Sequence, residues 1–189
     1  MTGVIRLRTA VGILGAAMLV AVIGPGSAHA EPEAPPDAWV MAGSSPADYE
    51  FERMAETVDG NAVLRLRAVN DKPAGFGTMM QTMAPTRFLG TRMRMSGLLK
   101  GNDINGWAGL WLRVDSQRGG APLAFDNMYN RPVRGSTGWS SAEIVLDVGR
   151  DASAIAFGVL LDGTGSVDIS KLRFEKVGSD VPVTGRPQN

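Results

Sequence analysis

Four residues in one short run have the types and spacing to do chemistry together. In Gly106 to Asp115 (GWAGLWLRVD), Trp107, Trp111, Arg113 and Asp115 fall on alternate positions. Residues i, i+2 and i+4 of a β-strand share a face. The run therefore presents two indoles, a guanidinium and a carboxylate, with Gly109, on its outer side, and Ala108, Leu110, Leu112 and Val114 on its inner side. A ring beside a donor and an acceptor suits a sugar, because the ring covers the apolar C–H face of a pyranose while Arg and Asp take its hydroxyls. Arg94 and Ser96 join this face if Thr91 to Lys100 (TRMRMSGLLK) is the neighbouring strand, and Gln81 would add an amide. The competing reading has Trp107 or Trp111 packed under a loop and Arg113 paired with Asp115 or Asp126; both stay open.

Asp126 and Asn127, in Phe125-Asp126-Asn127-Met128, could offer oxygens to a ligand or to calcium. Two side chains fall short of the six to eight oxygens calcium takes, and such residues more often cap a turn by bonding their own backbone. No metal site and no cofactor is expected. Glycoside hydrolysis needs two carboxylates about 5 to 9.5 Å apart across a cleft. Asp115 with Asp126 or Glu143 are the pairs on offer, and any acid-bearing sandwich supplies such pairs by chance. Cysteine is absent and the single histidine is His29, which removes thiol nucleophiles, Ser-His-Asp triads and the usual zinc sites from the chain that follows it. Basic and acidic side chains balance at 19 each, too even for non-specific nucleic-acid binding.

Residues 1–30 read as a secretory signal. Arg6 and Arg8 precede an apolar or small run from Val11 to Gly24, and Ala28-His29-Ala30 is a small-x-small cleavage site. That run, at 1.5 Å per residue, reaches about 21 Å, short of a hydrocarbon core of about 30 Å, so no stable membrane anchor is expected. Residues 31–37 (EPEAPPD) form a Pro-rich linker, 38–184 a single domain and 185–189 a flexible tail. Within the domain, β-favouring runs alternate with Gly, Asn, Asp and Pro clusters, and no segment keeps helical period for three turns. Ala62 to Val69, Phe76 to Met83, Thr91 to Lys100, Gly106 to Asp115, Ala142 to Val148, Ala154 to Leu161 and Ser166 to Val177 give at least seven strands. Met93 and Met95 point inward and Arg94 outward; the methionines read as adaptable core filler. Gly163-Thr164-Gly165 reads as a hairpin turn. Strands of this number and length argue an all-β, jelly-roll-like sandwich.

Gly75 to Gln81 (GFGTMMQ), Gly106 to Asp115, Leu123 to Pro132 (LAFDNMYNRP) and Ile155 to Val167 (IAFGVLLDGTGSV) resemble a β-sandwich module that accompanies bacterial AraC-type transcriptional regulators and also stands alone or on exported proteins. The resemblance covers about Trp39 to Thr184 and implies a galactose-binding-like jelly roll. It also implies ligand binding on a concave sheet or at loop tips. That pattern carries a Trp and paired acids where this chain reads Val167-Asp168-Ile169-Ser170. The expectation is an exported, secreted or periplasmic, non-catalytic module binding a glycan or other polyhydroxylated small molecule through Trp111, Arg113, Asp115, Trp107, Arg94, Gln81 and Asn127. The alternatives are a structural or protein-interaction domain of the cell envelope, and a carboxylate-only glycoside-active enzyme.

Overall fold

A computed structural model describes residues 39–187, so the expected signal and linker lie outside the described residues. The chain forms β1 (Val40–Gly43), β2 (Tyr49–Val58), β3 (Asn61–Ala68), β4 (Phe76–Met83), β5 (Thr91–Ser116), β6 (Ala124–Asp126), β7 (Val133–Gly135), β8 (Ser140–Val148), β9 (Ala152–Val177) and β10 (Arg186–Pro187). One 3-10 turn, Pro46–Asp48, precedes β2. The all-β expectation holds.

Two long strands organise the molecule. β5 and β9 run 26 residues each and pair antiparallel along most of their length, with a register shift between Asn102 and Asn105. At that shift the ribbon bends and splits into two layers. The first layer carries β1, β4, the first half of β9, the second half of β5, β6 and β10. In the second, β2 and β3 pair onto the second half of β9, and β8 onto the first half of β5. β7 bonds to β5 on either side of the bend, at Ile104 and Ala108.

Glycines make the bend possible. Gly106 and Gly163 have φ of +139° and +95°, and a Cβ on either would lie 2.0 Å from a carbonyl oxygen of the opposing strand. Strand-interior glycines mark such bulges and corners. The Gly163-Thr164-Gly165 run is thus the bend of a continuous strand and not the hairpin turn its composition suggests. Tyr49 locks the bend from the side: its hydroxyl donates to the Gly75 carbonyl at 2.7 Å and accepts from the Gly163 amide at 3.2 Å.

Between the layers, alternate residues form the core. Leu110, Leu112, Val114, Ile155, Phe157, Val159 and Met79 come from the first layer, and Leu66, Met93, Met95, Ile144, Val167 and Ile169 from the second. Phe157 and Phe174 meet edge to face across the gap, with centroids 4.7 Å apart. Met93 and Met95 are fully buried while Arg94 faces out, as the alternation requires. β10 lies beyond the expected domain end at Thr184: its backbone pairs with Phe125 and Ala124 of β6. Burying Ala108, Leu110, Leu112 and Val114 inside the sandwich leaves the intervening residues of β5 on the outer face of the first layer.

Candidate ligand-binding site

That outer face holds a cavity of about 500 Å³. Its floor is Trp111, Met80 and Leu160, from three adjacent strands, and Phe76, Trp107 and Phe125 rise around it. Arg113, Asn127, Ser44 and Thr78 supply the polar lining. The register explains the grouping, since Trp111 pairs with Gly158, which pairs with Met80, and Trp107 pairs with Asp162, which pairs with Phe76. Residues paired directly across antiparallel strands share a face.

Trp111 is 8% exposed, so it is not the open stacking platform that an outward ring suggests. Its indole N–H donates to the Thr78 hydroxyl at 2.7 Å, and that hydroxyl donates to the Val159 carbonyl at 2.7 Å. Gly158 makes this possible. A Cβ there would come within 2.9 Å of the indole nitrogen and 2.2 Å of the Met79 carbonyl, so the missing side chain is the slot through which Trp111 crosses β9 to reach β4. Trp111 therefore forms floor, with its donor already committed. Trp107 is half-buried, donates its N–H to Asp162 at 3.1 Å and packs edge to face on Tyr129, with centroids 5.4 Å apart.

Arg113 lines the cavity and is bound to Asp115, with Nε 3.0 Å from Oδ1. Both alternatives left open by the sequence are therefore partly realised: the guanidinium faces the cavity, and Asp115 orients it instead of facing a ligand there. Asn127 is brought to the rim because Gly109 lets the loop rest on β5, where a Cβ would meet Met128 Cβ at 3.0 Å and the Asn127 carbonyl at 3.1 Å. Its side-chain oxygen accepts from the Tyr129 amide at 3.2 Å, and Asp126 accepts from the Met128 amide at 2.8 Å. These are the turn-capping roles that the residue types suggest.

Two candidate residues lie elsewhere. Arg94 sits on the outer face of the second layer, bridged to Glu143 and Glu175. Thr91 to Lys100 is not the neighbour of Gly106 to Asp115 but the same strand, and the bend carries its first half to the opposite side of the sandwich. Gln81 is buried and paired with Phe157, which places it on the core-facing side of β4 with Met79. Phe76, Thr78, Met80, Phe125 and Leu160 line the site without having been singled out in the sequence. The available signals were Gly158 inside an apolar strand and the outward position of Met80 beside Met79.

Asp126 lies on the other side of β6, against the core. Burial alone would push its carboxyl up, but hydrogen bonds from Arg131, Thr184 and the Met128 amide, with the Arg131 charge, outweigh this and hold it below the usual carboxylate value. Arg131 reaches it at 2.7 Å. Asp168, in the segment that departs from the module's pattern, is wholly buried and takes two bonds from Arg65 at 2.6 and 2.8 Å. It braces β3 against β9.

This two-layer β architecture has counterparts among solved structures. The fold is that of the β-sandwich carbohydrate-binding modules. The C-terminal family 22 carbohydrate-binding module of Clostridium thermocellum Xyn10B superposes with a TM-score of 0.52 at 17% identity, over 78% of this chain and 91% of that module. The enzymatically active domain of tailspike protein 4 of bacteriophage CBA120 superposes with a TM-score of 0.58 at 12% identity, covering 75% of this chain and 20% of that one. No protein-family profile matches the sequence. By sequence, the chain is 41% identical over 148 residues to an uncharacterised HTH-type transcriptional regulator, YbfP, of Bacillus subtilis, a match that takes in 77% of this chain and spans about half of the relative's length, 50%.

Proposed function

We propose that the chain is an exported, non-catalytic glycan-binding module whose site is the cavity over Trp111. The observation that carries this reading is the make-up of the cavity: an apolar aromatic floor and walls with a few polar groups at the edge. A pyranose is itself two-faced, with C–H groups to lay on rings and hydroxyls around its rim. Trp107 and Phe76 offer ring surface, Trp111 closes the bottom against water, and Arg113, held by Asp115, aims its remaining N–H groups at hydroxyls. The fold shared with carbohydrate-binding modules supports the same reading by analogy. Binding without hydrolysis is supported by the state of the acids around the site: Asp115 is engaged by Arg113, Asp162 accepts from the Trp107 indole, and Asp126 turns away from the cavity to Arg131. Export rests on the signal-like residues 1–30.

The test is a glycan array probed with residues 31–189, followed by calorimetric titration of the best binder. Trp107→Ala and Arg113→Ala should each weaken binding by about 1–3 kcal/mol while leaving the melting temperature within a few degrees. Absence of any binding by the wild type across neutral and acidic glycans would remove this function. Export is checked separately by intact mass, which should begin at Glu31 when the full chain is expressed in a bacterial host.

A further inference from the structure

We propose that the ligand is a neutral oligosaccharide of at least two units that runs from the Trp111 cavity over Phe125 and Asn127 into a second subsite walled by Tyr129; this rests on the glycan reading above. A second cavity, of about 360 Å³, is lined by Phe125, Asp126, Asn127, Tyr129, Asn130, Thr184 and Gly185. It shares Phe125 and Asn127 with the first, so these two residues are a common partition. The aromatic wall also continues across it, since Trp107 of the first cavity touches Tyr129 of the second edge to face.

Tyr129 is the ring in this region that solvent reaches most, at 68% exposed. It has what Trp111 lacks: open surface on which a sugar can lie. The loop that carries it is fixed in place. Asp126 holds the Met128 amide and Arg131, Asn127 holds the Tyr129 amide, and Arg131 donates to the Met128 carbonyl at 2.8 Å through its own amide. With its oxygen so used, the Asn127 Nδ2 has no protein partner among the described residues and sits on the partition, where a unit crossing between cavities would present a hydroxyl. The charged groups lining the two cavities are Arg113 and Asp126, each already neutralised by a partner, Asp115 and Arg131. A lining balanced in this way favours an uncharged chain.

The experiment measures affinity against chain length, using glucose, xylose and galactose homo-oligomers of one to six units and an oligouronate series alongside. Wild-type affinity should rise at least about tenfold between one unit and three for a neutral series. Tyr129→Ala should abolish that rise, so that one unit and three bind alike, with the melting temperature unchanged, and Tyr129→Phe, which keeps the ring against Trp107, should retain it. A wild type that binds one unit as tightly as six, or a Tyr129→Ala protein that keeps the length dependence, overturns the second subsite and leaves the first cavity standing. Loss of single-unit binding in Tyr129→Ala overturns it too, by assigning the ring to the first cavity. Preference for the uronates overturns the neutral ligand. Failure of the wild type to bind any series removes the glycan reading and this inference together.

Discussion

The Trp111 ring lies in the slot left by Gly158 with its N–H given to Thr78, so what the residue contributes can be separated by substitution. Trp111→Ala should cost about 3–5 kcal/mol in urea unfolding, the range for emptying a packed aromatic site. A loss below about 1 kcal/mol would mean that the ring is not packed. A second residue-scale expectation concerns pH. The Asp126 carboxyl is held below its ordinary value in the folded protein, so its contribution is complete above the unfolded value near 3.9 and fades as pH falls through the lower folded value. Arg131→Ala should cost about 1–3 kcal/mol at neutral pH, and the deficit should shrink on acidification below about pH 4. A deficit independent of pH would show that the pair is not what Arg131 supplies. At this scale the sequence was half legible. Alternation put Trp107, Trp111 and Arg113 on one face, but the same i, i+2 spacing that sends Arg113 outward also sets Asp115 within reach of it, and spacing alone does not choose between ligand and neighbour.

Among the elements, β4 (Phe76–Met83) has the expected bounds and Ala108, Leu110, Leu112 and Val114 of β5 point inward as alternation predicts, while Thr78 and Trp111 are buried on the other face as well because the cavity floor covers it. β2 (Tyr49–Val58) escaped. Glu50, Glu52, Arg53 and Glu56 crowd a strand that among the described residues pairs with β3 alone, and charge on such an edge is what keeps it from pairing with another chain. The short β1, β6, β7 and β10 have too few residues to show any period. The largest departure is the fusion of four expected strands into β5 and β9, where glycines that read as turn signals are bend signals. Arg94 was assigned to the site for that reason alone. Gly163→Ala tests the bend: with φ at +95° and the Asn105 carbonyl 2.0 Å from the new Cβ, it should lower stability by about 2–4 kcal/mol. A neutral substitution would show that the corner tolerates an ordinary backbone.

For the whole molecule, what local pattern could not give is which segments meet. The cavity is assembled from β1, β4, β5, β6 and β9, and its floor exists only once residues as distant in sequence as Met80 and Leu160 are side by side. Such a site is as cooperative as the fold that brings it together. β5 and β9 each pass through both layers, and this bears on how the domain breathes. Neither layer can melt while the other stays native, because the central pair of strands is common to both. Native-state hydrogen exchange in low denaturant should therefore find backbone amides of Leu110 and Val159 on one side, and of Met95 and Ile169 on the other, released through one opening event with one free energy. Two plateaus differing by more than about 1 kcal/mol would divide the sandwich into separate foldons. A single plateau would mean that ligand bound over Trp111 protects the remote layer as strongly as its own, so occupancy could be read from amides that never come near the cavity.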